Sequence, residues 1–244
     1  MAKSEIKTSN GSSVKKYNCI FFDLDHTLWD YETNSRETLE ELYLQYNLQA
    51  KGIDTCDQFT THFTLVNTRL WELLDKGAIT SDVIRKQRFK QILENFSIRD
   101  EKLCEDLSHD YIKESPKKGK LMPYALEVLD YLSAHYDLSV ITNGFDEIQQ
   151  MKLQSSNLVS YFDHIITSQR AGSRKPSCEI FNFALSCHGI KNHQAIMVGD
   201  NLVTDIGGAC SAYIDAVFFN PEKITHDGHS AYEISCLSEL KRFL

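Results

Sequence analysis

The chain has 244 residues, enough for one large domain or for a domain carrying an insertion, and its 42% hydrophobic and 25% charged content is that of an ordinary globular protein. Its 26 basic and 34 acidic side chains give a net charge of −8, which offers no basic face to a nucleic-acid polymer. Seven cysteines without a Cys-x-x-Cys pair argue against a disulfide framework or a zinc knuckle and suit reduced thiols in a cytoplasmic setting.

Residues 1–16 are polar and lack an apolar segment, so they read as a disordered lead, neither a signal peptide nor a membrane anchor. The run over 17–22 is short, apolar and aromatic-rich, the pattern of a strand buried on both faces, and it ends at Asp23. Residues 29–34 read as a short linker. Four amphipathic helices are then expected. The first covers 35–48 with Ser35 as N-cap and Leu39, Leu42, Tyr43 and Tyr46 on one stripe. The second covers 59–74, the third runs from a Thr80 or Ser81 cap to 96, and the fourth opens at Asp100 and stops before Pro116. Their stripes are buried most simply against one another, as a helical bundle.

Beyond 117–120 the pattern changes to alternating helices (123–135, 146–156, 177–188, 204–212) and strands (138–141, 164–167, 195–198, 216–219). Such repetition predicts an α/β fold, a Rossmann-like three-layer parallel sheet with helices on both faces. Because the strand over 17–22 belongs to this sheet, the helical block is an insertion. The expected boundaries are a core over 17–30 and 117–244 and an all-α cap over 31–116.

In such a sheet the carboxyl ends of the strands form the site crevice. One end carries Asp23-Leu24-Asp25-His26-Thr27 and another Thr142-Asn143-Gly144; Lys175-Pro176 follows a third, and a fourth carries Gly199-Asp200 with Asp205 downstream. Carboxylates, a lysine and hydroxyls converging on one rim suit a hard divalent cation and a dianionic group together, since an oxygen-loving ion such as Mg²⁺ relieves the repulsion between packed carboxylates. His26 reads as a residue of the turn, and His226-Asp227-Gly228-His229 as a polar turn rather than a metal site.

In order and strand context these four motifs resemble those of the haloacid dehalogenase-like hydrolase superfamily, and the helical insertion resembles that superfamily's cap. The resemblance implies a phosphomonoester hydrolase. Asp23 would be the nucleophile that forms an aspartyl-phosphate, and Asp25 the general acid and base, with a carboxyl pKa raised toward neutrality. Mg²⁺ would be held by Asp23, the Asp25 carbonyl, Asp200 and Asp205, the last directly or through water. Thr27, Thr142, Asn143 and Lys175 would bind the phosphoryl group, Thr142 and Lys175 also serving catalysis. Residues 22–30 and 199–202 are similar to the pyrimidine-nucleotide 5'-nucleotidase branch, which implies a small nucleoside 5'-monophosphate as partner.

Trp29, Tyr31, Asn67, Arg69 and Trp71 are the expected specificity residues, the last three preceding a turn over 75–80 that resembles the cap loop which dips toward the active site in related enzymes. A phosphatase of phosphoglycolate or of a sugar phosphate, and a sugar-phosphate mutase, are the alternative enzymes. A haloacid dehalogenase lacks an acid at the position of Asp25, and a non-enzymatic binding module would not need Asp23, Asp25, Lys175 and Asp200 together. No membrane partner is expected, and monomer and homodimer stand equally open.

Overall fold

A computed structural model describes residues 16–228 and 230–244. The expected lead, apart from Lys16, and His229 of the polar turn lie outside the described residues. Six strands, β1 (Cys19–Phe22), β2 (Asp137–Thr142), β3 (His164–Thr167), β4 (Ala195–Gly199), β5 (Asp215–Phe219) and β6 (Tyr232–Ile234), form one parallel sheet in the order β3-β2-β1-β4-β5-β6. The chain builds outward from β1 to β2 and β3, then returns to β4 on the other side of β1. That reversal opens a crevice at the carboxyl end of β1.

The helices are α1 (Tyr31–Gln45), α2 (Cys56–Asp75), α3 (Ser81–Asn95), α4 (Glu101–Glu114), α5 (Ala125–Ser133), α6 (Asp146–Ser155), α7 (Ser168–Ala171), α8 (Cys178–His188) and α9 (Gly208–Ser211). Strand alternation explains why β1 is apolar throughout. Ile20 and Phe22 face one core with Val140, Val198 and the α5 side chains, whereas Cys19 and Phe21 face a second with Met197, Phe181 and Ile206. All four β1 side chains are fully buried, each Ile or Phe worth about 1.5–3 kcal/mol on transfer from water.

A third core belongs to α1–α4. Phe59, Phe63, Phe89 and Tyr111 meet at its centre, with the Phe63 and Tyr111 ring centroids 4.8 Å apart. Two crossings join this helical block to the sheet, and they are zipped together. Asn34 Nδ2 donates to the Lys120 carbonyl at 2.8 Å, the Lys120 N–H donates to Asn34 Oδ1 at 3.1 Å, and the Met122 N–H donates to the Leu28 carbonyl at 2.9 Å.

Three expectations change. Residues 31–34 are not a linker: α1 begins at Tyr31, capped by Asp30, whose carboxylate accepts from the Thr33 N–H at 3.0 Å, and Ser35 is buried inside the helix. The polar run looked like linker because Asn34 serves the other crossing instead of solvent. The helix expected over 204–212 is a π-helical turn, Leu202–Gly207, leading into α9, with the N–H groups of Asp205 and Ile206 both on the Asn201 carbonyl. The third is β6, a parallel edge strand of three residues, too short to show an alternating pattern.

Candidate active site

Asp23 follows β1, and its N–H donates to the Val198 carbonyl at 2.9 Å, which fixes it level with the end of β4. Lys175 Nζ lies 2.5 Å from Asp23 Oδ1 and 2.6 Å from Asp205 Oδ1, and all three side chains are buried. Asp23, Asp200 and Asp205 bring carboxylate oxygens within 4.8 Å of one another. Gly199 permits this packing, since a Cβ there would stand 2.3 Å from Asp205 Oδ2. The same oxygen accepts from the Asn201 N–H at 3.1 Å, so Asp205 is held from both sides.

The electrostatics follow from the crowding. Burial pushes the Asp23 carboxyl well above the usual carboxylate range; Lys175 opposes this, while Asp205 and Asp200 add to it. Burial and Asp205 push Asp200 up to about 6. Burial alone would lower the Lys175 pKa, but Asp205 and Asp23 raise it above its ordinary value, so the ammonium stays charged. Three hard oxygen donors that repel one another around a single lysine fit a small divalent cation, because added positive charge favours their ionised forms.

Asp25 sits in a different setting. Its side chain turns away from the carboxylate cluster: Oδ1 lies 2.5 Å from Lys152 Nζ, and Oδ2 accepts from Gln149 Nε2 at 2.9 Å. Burial pushes its pKa up, but Lys152, Gln149 and His26 together outweigh that and hold the carboxyl below the usual range. The expectation of a carboxyl raised toward neutrality is therefore corrected for this state of the site. The cause is a lysine on α6 that sequence reading assigned no role.

Gln149 Nε2 also donates to Thr142 Oγ1 at 2.7 Å, and the Gly144 N–H donates to the same oxygen at 3.1 Å. With both lone pairs taken, the Thr142 hydroxyl proton is free to be donated into the site. Gly144 is needed here, since a Cβ would stand 2.4 Å from the Gln149 amide carbon. Asn143 clamps the Lys175 backbone, its Nδ2 donating to the Lys175 carbonyl at 2.9 Å and its Oδ1 accepting from the Lys175 N–H at 2.8 Å.

Thr27 is corrected: it is fully buried and its hydroxyl donates to Asp200 Oδ1 at 2.9 Å, so it braces an acid rather than facing a phosphoryl group. His26 stands at a φ of 64° in the turn, its ring 4.7 Å from that of Tyr31. His226 packs edge-on against Phe218 and lies 3.3 Å from Glu233, joined to no carboxylate cluster among the described residues.

A cavity of about 460 Å³ lies between the sheet and the helical block, with Asp23, Asp25, Thr142, Asn143, Lys175 and Asp200 at its sheet end. Tyr31, Asn67 and Trp71 line its other side. Two expected specificity residues do not. Trp29 is wholly buried, its indole N–H donating to the Lys118 carbonyl at 3.0 Å, and Arg69 is exposed on the far side of α2. In their place stand Phe145 at the start of α6 and Arg85 and Arg88 of α3. The end of α2 reaches the site through Asp75, 2.7 Å from Arg174, the neighbour of Lys175. Burial raises the Asp75 pKa, against the pull of Arg174.

A doubly crossed parallel sheet with an acid pair at one strand end, a lysine bridging two carboxylates and a helical insertion over the crevice defines a class of hydrolases. The sequence model of haloacid dehalogenase-like hydrolases matches residues 20–219, and the chain belongs to that family. It is 30% identical to the pyrimidine 5'-nucleotidase YjjG of Escherichia coli over 94% of this chain and 98% of that one. Its identity with the pyrimidine 5'-nucleotidase PynA of Streptococcus pneumoniae is 28%, over 92% of this chain and 93% of the relative. Among solved structures, the HAD-hydrolase YfnB of Bacillus subtilis bound to magnesium is similar at a TM-score of 0.84 and 26% identity, over 93% of this chain and 98% of that one.

Proposed function

We propose that the protein is a Mg²⁺-dependent phosphomonoester hydrolase acting through an aspartyl-phosphate on pyrimidine nucleoside 5'-monophosphates in the cytoplasm. The observation that carries the reading is Lys175 bridging Asp23 and Asp205 beside Asp200, across from Thr142, whose hydroxyl oxygen already accepts two hydrogen bonds. This arrangement would give one phosphoryl group both hydrogen-bond donors and a cation site. Asp23 and Asp200 would hold the ion, with Asp205 as third carboxylate and the Asp25 carbonyl completing the set. The ion supplies positive charge that offsets the phosphoryl oxygens.

An oxygen of Asp23 attacks phosphorus, the bond from phosphorus to the ester oxygen breaks, and Asp25 gives that oxygen its proton. Lys152 keeps Asp25 ionised in the arrangement described; the incoming phosphoryl charge favours uptake of a proton from solvent by Asp25, and this is the proton it gives to the ester oxygen. Water then attacks the aspartyl-phosphate, Asp25 takes the water proton, and orthophosphate leaves with Asp23 restored. Thr142 and Lys175 hold the phosphoryl oxygens through both steps, which is electrostatic positioning rather than covalent chemistry. The aromatic groups Tyr31, Trp71 and Phe145 lining the cavity suit a flat base, and the two nucleotidase relatives support that choice.

The test is orthophosphate release from UMP, dUMP, dTMP, phosphoglycolate and a hexose phosphate, with Mg²⁺ and with a chelator. Activity is expected to vanish with the chelator and in Asp23→Asn. Undiminished release in either sinks the mechanism. A phosphoglycolate or hexose phosphate kcat/KM tenfold or more above every pyrimidine nucleotide sinks the substrate choice alone.

A further inference from the structure

Each permanent cation on the cavity wall has an acid partner except one. Arg85 pairs with Glu147 at 2.6 Å, Lys152 with Asp25, and Lys175 with Asp23 and Asp205. Arg88 is 6% exposed and, among the described residues, has no carboxylate. Its Nη1 donates to Asn67 Oδ1 at 3.1 Å, and its Nε has no partner. The guanidinium lies 4.6 Å from the Tyr111 ring centroid and 5.3 Å from that of Phe63.

Aromatic faces compensate a buried cation only in part, and an isolated charge out of water is strongly disfavoured. Arg88 is also held in place. Asn67 Nδ2 donates to the Tyr31 hydroxyl at 2.9 Å, which turns Asn67 Oδ1 toward Arg88. Tyr31 in turn lies 3.3 Å from the Tyr111 hydroxyl, itself 2.9 Å from Ser35 Oγ. This relay spends its acceptors on itself and leaves guanidinium donors over. A planar fork of N–H groups matches a planar oxygen acceptor better than a tetrahedral hydroxyl.

We propose that Arg88, oriented by Asn67 and Tyr31, binds a carbonyl or carboxylate oxygen on the leaving group of the phosphomonoester and so sets substrate preference. The assignment rests on the reading of the cavity as a leaving-group pocket. In a pyrimidine nucleotide the acceptor is a ring carbonyl; in a small acid phosphate it is the carboxylate.

The experiment compares kcat/KM of the unaltered chain, Arg88→Met and Arg88→Lys on UMP, phosphoglycolate and phenyl phosphate, the last having no acceptor beyond its phosphate, and records the melting temperature of each. Turnover of phenyl phosphate by the unaltered chain reports the phosphatase reading by itself. Arg88→Met is expected to lower the preference for UMP over phenyl phosphate roughly 10- to 100-fold, with Arg88→Lys between. The melting temperature is expected to change little, because a buried unpaired charge is removed together with the hydrogen bond to Asn67 Oδ1. If the preference for phosphoglycolate collapses instead, the Arg88 assignment stands and the nucleotide choice falls. Equal losses on all three substrates with a lower melting temperature, or no loss on any acceptor-bearing substrate, overturn the assignment.

Discussion

Asp23 and Asp25 are two residues apart, yet their surroundings push them in opposite directions. Asp23 is raised by burial among acids, while the net effect of Lys152 and Gln149 lowers Asp25. Asp25→Asn is expected to slow release of orthophosphate by roughly 10²–10⁴-fold, since neither proton transfer can then occur at that atom; unchanged turnover at neutral pH removes Asp25 from the role. Lys152→Met leaves the half-buried Asp25 carboxyl without its cation, so its titration midpoint is expected to move to higher pH. Carbon NMR of labelled aspartate follows this, with the signal assigned by its absence in Asp25→Asn; a midpoint that stays or falls shows that Lys152 does not hold it down. At this scale the acids at strand ends were legible because strand, turn and acid are neighbours in the chain. Gln149 and Lys152 were not, since on α6 they look like ordinary polar positions and only the fold turns them to the site. Arg88 did carry a signal: it stands four residues from both Ile84 and Ile92, on the buried stripe of α3. Arg69 is two residues, or about 200° of helix, from inward-facing Asn67, which places it outside.

Among the elements, β2, β3 and α8 share a seam that holds two histidines. His188 of α8 lies 2.7 Å from Ser139 Oγ of β2, its ring edge-on to that of His164 at 4.8 Å. Burial, and then His164, hold the His188 pKa below its ordinary value, against the opposing pull of Asp137 and Asp163. The unfolded imidazole therefore takes up a proton at a higher pH than the folded one. In that interval the unfolded state binds more protons, so stability falls as pH falls. A urea midpoint that drops between about pH 7.5 and about pH 5.5, and drops less in His188→Gln, is the expected result. An identical decline in His188→Gln assigns the effect to other groups. The strand and helix alternation that builds this seam was readable from apolar runs and their spacing. The start of α1 and the π-helical turn were not, because one is fixed by a cap that serves a second crossing and the other by one carbonyl taking two N–H donors.

For the whole molecule, the two crossings between sheet and helical block determine how the cavity can open. They are bonded to each other through Asn34, Lys120, Leu28 and Met122, and the Trp29 side chain in the first of them is buried, so the pair is held together as one unit that can serve as an axle. On the opposite side of the cavity the contacts are lighter: Asp75 with Arg174, Arg85 with Glu147, and the Trp71 ring 6.0 Å from that of Phe145. Partly exposed ion pairs of this kind contribute about 0.2–1 kcal/mol each, too little to lock the two bodies. We therefore expect the helical block to swing as a lid about the axle and to close when the phosphoryl site is filled, excluding water that competes with the leaving group. Small-angle scattering and limited proteolysis, with and without Mg²⁺ and a beryllium or aluminium fluoride mimic of the phosphoryl group, read the change directly. The filled protein is expected to be more compact and more slowly cut near the crossings. Asp75→Ala, by removing the contact that ties the lid to the neighbour of Lys175, is expected to raise the mimic concentration needed for half of that compaction, by no more than about fivefold given the strength of one such pair. Scattering curves and cleavage patterns that coincide with and without the mimic rule the lid out.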